Sequence, residues 1–393
     1  MSETPPNAPK APSRRALLLG AGLVAATPTL TSPALASSAK PQTGPALPPP
    51  ESDSPKALTR IAFGSCAKES KAQPIWDAIA AQKPDLMLML GDNVYLDTRD
   101  VAVMKAKYAQ LAEKPEFRRF RDQVPILATW DDHDYGENDA GADYPMKAAS
   151  RTLFCDFFGV PADSARRRRP DGIYAACLFG PAGQRVQILL PDLRWNRTPI
   201  PERDFNGAKY EAWATKQALL KKPVPGPYER TMAPAATMLG ETQWQWLEAE
   251  LHRPADVRIL ASSLQVVADF PGWEAWSVYG QDTQRLIQAI RTTRADGLIC
   301  LSGDTHYAEF SRLDVNVPYP LWDFTSSGLT ETWPVLPPND LRVGEAYRDN
   351  NFGLITLDWT ARTVTVAIHD KKGEARLSQT LPLSTLAHPP VCG

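Results

Sequence analysis

Residues 86–90 are all apolar, and the run ends at once in Gly91 and Asp92. An unbroken apolar run of this length predicts a strand that is buried on both faces of a sheet. A carboxylate directly after such a strand lies where open α/β sheets bind their ligands. The alternative is that Asp92 caps the next helix, which is a common role for aspartate after a strand. The rest of the chain has to decide between these two interpretations.

Strand-like and helix-like patterns alternate along the rest of the chain. Apolar or alternating runs predict further strands within residues 58–66, 125–130, 172–193, 257–267, 296–301, 319–332 and 352–369. Helical spacing of apolar residues predicts helices over residues 70–82, 100–121, 146–158, 242–251 and 273–294. Strands that alternate with helices are typical of a layered α/β domain, which we place at residues 58–386.

Two stretches depart from this alternation. Residues 195–238 are interrupted by Pro and Gly and lack a clear period, which predicts a long irregular excursion near the functional site. Residues 166–169 are four consecutive arginines, which predict a solvated loop. The alternative for the arginines is a rim that attracts an anionic substrate.

The first 57 residues carry a different pattern. Arg14 and Arg15 precede an apolar segment, and the small residues Ala34 and Ala36 provide a cleavage site. This predicts a signal peptide of the twin-arginine class over residues 1–36, with a general secretory signal as the alternative. Residues 37–57 are rich in Pro and Ser and predict a disordered leader. No other segment is apolar enough to cross a bilayer, so we expect a periplasmic or secreted protein whose precursor uses the twin-arginine export machinery.

Composition narrows the function classes only slightly. The chain has 393 residues, of which 43% are hydrophobic and 22% charged, so it can bury a large core. Its formal net charge of −2 gives no basis for a nucleic-acid-binding surface. It has five cysteines, and an odd number leaves at least one unpaired in an oxidising compartment.

Three of the predicted strands end in acidic segments that could bind metal, at Asp92, residues 131–134 and residues 303–306, and a fourth ends in Cys66. Carboxylates that meet at one sheet edge repel one another unless a cation lies between them, so the pattern favours a metal site over helix capping. Cys, Tyr and His side chains suit a transition metal, whereas Asp and Asn oxygens suit a hard cation such as Ca²⁺ or Mg²⁺. We therefore predict at least two ions with different ligand preferences, with Asp92 placed to bridge them.

Five motifs in this order resemble one known family. They are GSC at 64–66, GDNVY at 91–95, WDDHD at 130–134 followed by Asn138, SGDTH at 302–306, and a helix that contains Trp276, Tyr279 and Arg285. Together they resemble the PhoD-like alkaline phosphatases, which implies the calcineurin-like metallophosphoesterase fold, an α/β two-sheet β-sandwich flanked by helices. The resemblance covers residues 59 to about 330.

The resemblance also implies the cofactors and their ligands. Iron, as Fe³⁺, would be held by Cys66, Asp92, Tyr95 and His306. One or two calcium ions would be held by Asp92, Asp131, Asn138 and Asp304, with Asp132 as the alternative to Asp131. Under this assignment Cys66 must stay out of any disulfide, while the other cysteines could pair or remain thiols.

The implied activity is hydrolysis of small phosphate esters, either monoesters, diesters or both, by metal-activated hydroxide. His133 is predicted to donate a proton to the leaving alkoxide or to orient the substrate, or alternatively to position Asp131. Arg194 is predicted to bind a phosphate oxygen, or alternatively to pair with Asp192. The rival functions are a phospholipase D-like phosphodiesterase and a non-catalytic periplasmic protein that binds phosphate or metal.

Overall fold

A computed structural model of the chain describes residues 53–203, 207–220, 222, 224–269, 272–333 and 335–390. The predicted signal peptide, most of the predicted leader and Cys392 lie outside these residues. The last leader residues are described, and Ser54 pairs with the chain near Phe179, where its N–H donates to Leu178 O at 2.8 Å. The residues just before Leu58 are therefore attached to a sheet.

The first sheet contains six strands. They are β1 (Arg60–Gly64), β2 (Leu86–Leu90), β3 (Ile126–Thr129), β10 (Asn351–Asp358), β11 (Thr363–Asp370) and β12 (Ala375–Pro382), in the order β12-β11-β10-β1-β2-β3. Strands β1, β2 and β3 are parallel to one another, so their carboxyl ends lie at the same edge of the sheet.

The second sheet also contains six strands. They are β4 (Ala175–Phe179), β5 (Val186–Leu190), β6 (Val257–Ala261), β7 (Leu298–Ser302), β8 (Ala308–Leu313) and β9 (Leu321–Ser326), in the order β4-β5-β6-β7-β9-β8. Strands β5, β6, β7 and β9 are parallel, so four more carboxyl ends share one edge.

Helices flank the two sheets. They are α1 (Ile75–Ala81), α2 (Val101–Ala112), α3 (Pro115–Arg121), α4 (Asp132–Tyr135), α5 (Lys147–Phe157), α6 (Ala165–Arg168), α7 (Gly207–Leu219), α8 (Glu241–Leu251) and α9 (Gly280–Thr293), with 3₁₀ turns at Trp276–Val278 and Leu383–Leu386. Helix α7 lies within the stretch predicted to be irregular. Within the described part of the chain, no helix combines the length and the apolar character that a bilayer crossing needs.

Strand β2 has the two buried faces that its apolar run predicts. Leu86, Leu88 and Leu90 belong to the core between the sheets, whereas Met87 and Met89 pack into the second core, which the helices cover. All five side chains are at most 1% exposed, and burying a side chain of this size contributes about 1.5–3 kcal/mol. The end of β2 is therefore held firmly.

The strand ends of the two sheets approach each other closely at Gly303. A Cβ atom there would lie 2.6 Å from Ser65 Oγ and 3.0 Å from Leu90 O, which is too close for any residue but glycine. This contact joins the carboxyl ends of β1, β2 and β7. The predicted α/β arrangement of two sheets flanked by helices is confirmed.

Candidate metal centre

The predicted metal-binding side chains follow the carboxyl ends of strands. Cys66 comes after β1, Asp92 after β2 and Asp131 after β3, while Asp304 and His306 come after β7. Because these strand ends meet where the two sheets approach, residues far apart in the sequence converge at one place. Residues from both sheets therefore lie at the place that the apolar run alone predicts for Asp92.

The four residues predicted to bind iron lie together. The donor atoms of Cys66, Asp92 and His306 are all within 4.8 Å of one another. The Tyr95 hydroxyl lies 3.4 Å from Asp92 Oδ2 and 3.1 Å from His306 Nε2, and Cys66 Sγ lies 3.4 Å from Asp92 Oδ2. Cys66 is a buried free thiol and is thus available as a ligand, and Cys155 and Cys300 are further buried free thiols among the described residues.

The backbone at this group is unusual. Cys66, Asp92, Asp304 and His306 all have positive φ, at 66°, 50°, 68° and 62°. Each non-glycine residue in the left-handed region costs roughly 1–3 kcal/mol, and such strain persists mainly at functional sites. Surrounding hydrogen bonds hold the conformation, for example from His306 N to Ser327 Oγ at 2.9 Å. The strained turns aim these side chains at one point.

A second group of carboxylates adjoins the first. Donor atoms of Asp131, Asp132 and Asp304 lie within 4.8 Å of one another, and so do those of Asp92, Asp132 and His133. Asp131 Oδ2 is buried and has no hydrogen-bond partner among the described residues. The structure thus brings both alternatives, Asp131 and Asp132, to the cluster, and Asp132 is the one that also approaches Asp92.

Asn138 is placed less directly than the other predicted ligands. It lies half-buried in the turn after α4, and within the described chain no hydrogen bond joins its side chain to the cluster. Its neighbour Asp139 does reach the site, because Asp139 N donates to Asp132 Oδ2 at 2.7 Å. A calcium-binding role for Asn138 stays a prediction.

Burial shifts the pKa values of these groups, and at Asp131 it outweighs the opposing effect of Arg194. It raises the pKa of Asp131 to about 6 and that of Asp134, which accepts from Asp131 N at 2.6 Å, to about 8. Burial and the nearby Asp92 raise the pKa of both Cys66 and Tyr95, and burial also raises that of Asp92 itself. A buried group loses the solvation of its charged form, and a neighbouring cation restores it. The thiol, phenol, imidazole and carboxylate donors, with the orphaned Asp131 Oδ2, therefore fit a metal centre.

His133 lies at the edge of this centre. Its Nδ1 is 2.6 Å from Asp97 Oδ1, and its main-chain N–H donates to Asp132 Oδ1 at 2.9 Å. Burial alone lowers the pKa of His133, but Asp132, Asp92 and Asp97 outweigh it and hold the pKa well above its usual value. The alternative in which His133 positions Asp131 has no supporting hydrogen bond in the described chain, since Asp131 Oδ1 accepts from Arg194 and Ser263.

The structure places the Arg194 side chain beside carboxylates other than that of Asp192. Its side chain is fully buried, its Nε donates to Asp131 Oδ1 at 2.6 Å, and its guanidinium also donates to Glu274 Oε1 at 2.9 Å. Asp192, the predicted partner, instead accepts the main-chain N–H of Arg194 at 2.9 Å and Trp130 Nε1 at 2.9 Å. Arg194 is therefore the buried partner of two carboxylates, and its phosphate-binding role stays a prediction.

Sequence reasoning missed several residues that support the centre. Glu274 pairs with both Arg194 and Arg197, which hold its pKa below the usual value although burial alone raises it. Asp97 orients the His133 ring, and in the sequence it comes only two residues after Tyr95. The position of Asp97 in a motif-rich stretch was a usable signal, but nothing in the sequence marks Glu274.

Comparison with known proteins agrees with this geometry. The model of a family described as PhoD-like phosphatase matches residues 61–366. The chain is 23% identical over 299 residues to alkaline phosphatase D of Bacillus subtilis (strain 168), a match that covers 69% of this chain and 49% of that protein. The chain thus spans about half the length of this curated relative.

Solved structures share the fold. A structure described as that of PhoD superposes with a TM-score of 0.63 at 16% identity, covering 82% of this chain and 68% of the other. A dimetal phosphatase from Danio rerio superposes with a TM-score of 0.50 at 14% identity, covering 85% of this chain and 100% of the other. These likenesses show the calcineurin-like two-sheet fold. The family model matches residues 61–366, which are well over half of the chain, and the chain therefore belongs to the PhoD-like phosphatase family.

Proposed function

We propose that the protein is an exported, metal-dependent phosphatase that hydrolyses small phosphate esters. The observation that carries the proposal is the meeting of Cys66, Asp92, Tyr95 and His306 at one point, directly beside a carboxylate group. Its family and its relative, named alkaline phosphatase D, support the ester-hydrolysing activity. Export, to the periplasm or outside the cell, rests on the sequence pattern of residues 1–36.

The donor atoms favour two different cations. Fe³⁺ suits the group with a thiol, a phenol and an imidazole, and Ca²⁺ suits the oxygen donors of Asp92, Asp131, Asn138 and Asp304, with Asp132 as a further candidate. The fold shared with a dimetal phosphatase supports a pair of ions. When bound, the pair supplies hydroxide near neutral pH and neutralises charge on the phosphoryl group.

Residues of the chain itself hold the metal-binding Asp131 in place and supply the proton for the leaving group. The Asp97 carboxylate holds the His133 ring at Nδ1, and the ring lies 4.2 Å from that of Tyr95, centroid to centroid. This leaves Nε2 of His133 as the atom that donates a proton to the leaving oxygen. Arg194, which is itself paired with Glu274, and Ser263 both donate to Asp131 Oδ1, so that Oδ2 is the oxygen left to bind a cation.

The function is tested with the purified mature protein and two nitrophenyl substrates. We expect bound iron and calcium, a visible charge-transfer band that changes in Cys66→Ser or Tyr95→Phe, and hydrolysis that is lost on chelation and regained on adding both metals. Faster turnover of bis(4-nitrophenyl) phosphate than of 4-nitrophenyl phosphate would favour the phosphodiesterase rival. Fully metallated protein that turns over no ester would favour the binding-protein rival and contradict the proposal.

Replacing His133 with Ala is expected to discriminate between leaving groups. We expect the rate on an alkyl phosphate to fall by about 10²- to 10⁴-fold, because its alkoxide leaves only with a proton. Hydrolysis of 4-nitrophenyl phosphate should fall far less, because nitrophenolate leaves without one. Steady-state kinetics on both esters, with metal content measured alongside, check this. An unchanged rate on the alkyl ester would rule out the proton-donor role.

A further inference from the structure

One buried carboxylate, that of Asp134, joins the two turns that carry Asp92 and Asp131. Its Oδ1 accepts the main-chain N–H of Asp131 at 2.6 Å and that of Asp92 at 3.2 Å. Asp92 follows β2 and Asp131 follows β3, so a single oxygen connects the ends of two neighbouring parallel strands. Asp134 itself is fully buried and is not a member of the potential metal-binding groups in the described chain.

The second oxygen of Asp134 holds the same junction through Asn93. Asp134 Oδ2 accepts the main-chain N–H of Asn93 at 3.3 Å and its side-chain Nδ2 at 2.5 Å. The same Nδ2 donates to the carbonyl oxygen of Thr129, the last residue of β3, at 2.8 Å. Because a carbonyl can only accept, the amide nitrogen of Asn93 must be the atom that faces both oxygens. Asp134 therefore receives two N–H bonds on each of its oxygens.

The two turns are also packed in direct contact. A Cβ atom on Gly91 would lie 2.5 Å from Asp131 Cβ and 2.9 Å from Asp131 N, so the turn after β2 lies against the turn after β3. Asp92 is in the left-handed region, at φ 50°, and a residue keeps such a strained conformation only where its surroundings fix it. The bond from Asp92 N to Asp134 is one of the contacts that fix it.

Capping of α4 explains only part of this pattern. Asp134 accepts the N–H of Asp131, the N-cap residue of α4, as one half of a capping box. The other three bonds go to Asp92 and Asn93, which lie outside this four-residue helix at the end of the neighbouring strand. These additional bonds fix the main chain of Asp92 relative to that of Asp131.

We propose that Asp134 is a positioning residue that sets the spacing between Asp92 and Asp131 and thereby the affinity of the centre for its calcium ion. The inference rests on the pair of cations in the proposed function and adds the residue that controls one of them. Calcium would need Asp92 and Asp131 together, and both depend on Asp134 for the position of their main chains. Iron would be affected less, because Cys66 and His306 follow β1 and β7 and not the two strands that Asp134 joins.

Asp134→Asn tests the proposal in the purified mature protein. An amide has one acceptor oxygen and carries N–H groups in place of the other, so the bonds to Asn93, or those to Asp92 and Asp131, are lost. We expect the dissociation constant for Ca²⁺ to rise by about 10- to 100-fold, while bound iron and its charge-transfer band are retained. Calorimetric titration with Ca²⁺ measures the first, and metal analysis with a visible spectrum measures the second.

Hydrogen exchange adds a measurement that needs no metal. In the metal-free Asp134→Asn protein the main-chain amides of Asp92, Asn93 and Asp131 should exchange faster than in the metal-free wild-type protein, because bonds that protect them are lost. Asn93→Ala removes the side-chain bonds to Asp134 and Thr129 and keeps the carboxylate. It should raise the dissociation constant for Ca²⁺ by a smaller factor, and it replaces Asp134→Asn if that variant does not fold.

Asp282→Asn is the matched control. Asp282 is another buried carboxylate that holds separate segments together, since it accepts Met238 N at 2.6 Å and Trp244 Nε1 at 3.0 Å. It is not a member of the potential metal-binding groups in the part of the chain that the structure describes. Its replacement should lower the melting temperature and leave the dissociation constant for Ca²⁺ unchanged.

Three results would overturn the inference and leave the phosphatase proposal standing. They are wild-type affinity for Ca²⁺ in a folded Asp134→Asn protein, an equal loss of affinity in the Asp282 control, and an Asn93→Ala protein whose affinity is unchanged. A wild-type protein that binds iron but no second cation would instead contradict the proposed pair of ions. Amide exchange would then still show whether Asp134 holds the two turns together.

Discussion

Asp92→Asn is expected to lower kcat/KM for phosphate esters by at least about 10³-fold and to reduce the bound metal. Asp92 is the carboxylate that approaches both groups, through Cys66 and His306 on one side and Asp132 on the other. A neutral amide cannot neutralise two cations, so both should bind more weakly. The change conserves shape, and asparagine tolerates the left-handed backbone that Asp92 adopts at φ 50°.

Three measurements separate this loss from unfolding. Far-ultraviolet circular dichroism and the melting temperature should show a folded variant, metal analysis should show the reduced content, and steady-state kinetics should show the lost rate. Asp314→Asn is the control, because Asp314 is exposed and pairs with Arg312. A folded Asp92→Asn protein that keeps both metals and its full rate would contradict the assignment of the centre.

The main features of the site were predictable because they depend on local pattern. An apolar run identifies β2, and the rule that parallel strands end at one edge places Asp92 and Cys66 together. The motif SGDTH ends β7 of the other sheet in the same way, and the approach of the two sheets at Gly303 brings His306 to them. Cys66, Asp92 and His306 each lie just past the end of a strand. The end of a strand is visible in the sequence as a change from apolar to polar residues.

The features that were not predictable depend on contacts between distant segments. The arginine run was expected in a solvated loop, yet Arg166 is 1% exposed and donates to Ala128 O at 2.7 Å at the end of β3. Asp132 was expected only as the alternative to Asp131, yet donor atoms of both lie in the cluster. Both reach the cluster because α4 begins at Asp132, where the alternation of side chains across the strand ends.

Arg194→Met is expected to lower the free energy of unfolding by about 3–5 kcal/mol, the usual cost of removing one partner of a buried ion pair. The fully buried guanidinium lies between Asp131, at 2.6 Å, and Glu274, at 2.8 Å. Methionine fills much of the same volume but leaves both carboxylates without this cation in a site where burial already opposes their charge. Urea unfolding of the wild-type protein and the variant, each with metal, measures the difference.

Arg312→Met provides the matched control, because Arg312 is an exposed arginine paired with Asp314, and exposed pairs contribute at most about 1 kcal/mol. The two roles considered for Arg194 lead to opposite outcomes. If Arg194 holds Asp131 in place, replacing Arg194 lowers both the stability of the protein and its affinity for metal. The protein that remains active then keeps its KM for the ester. A phosphate-binding residue leaves stability almost unchanged and raises KM, and that result would return Arg194 to the substrate side of the centre.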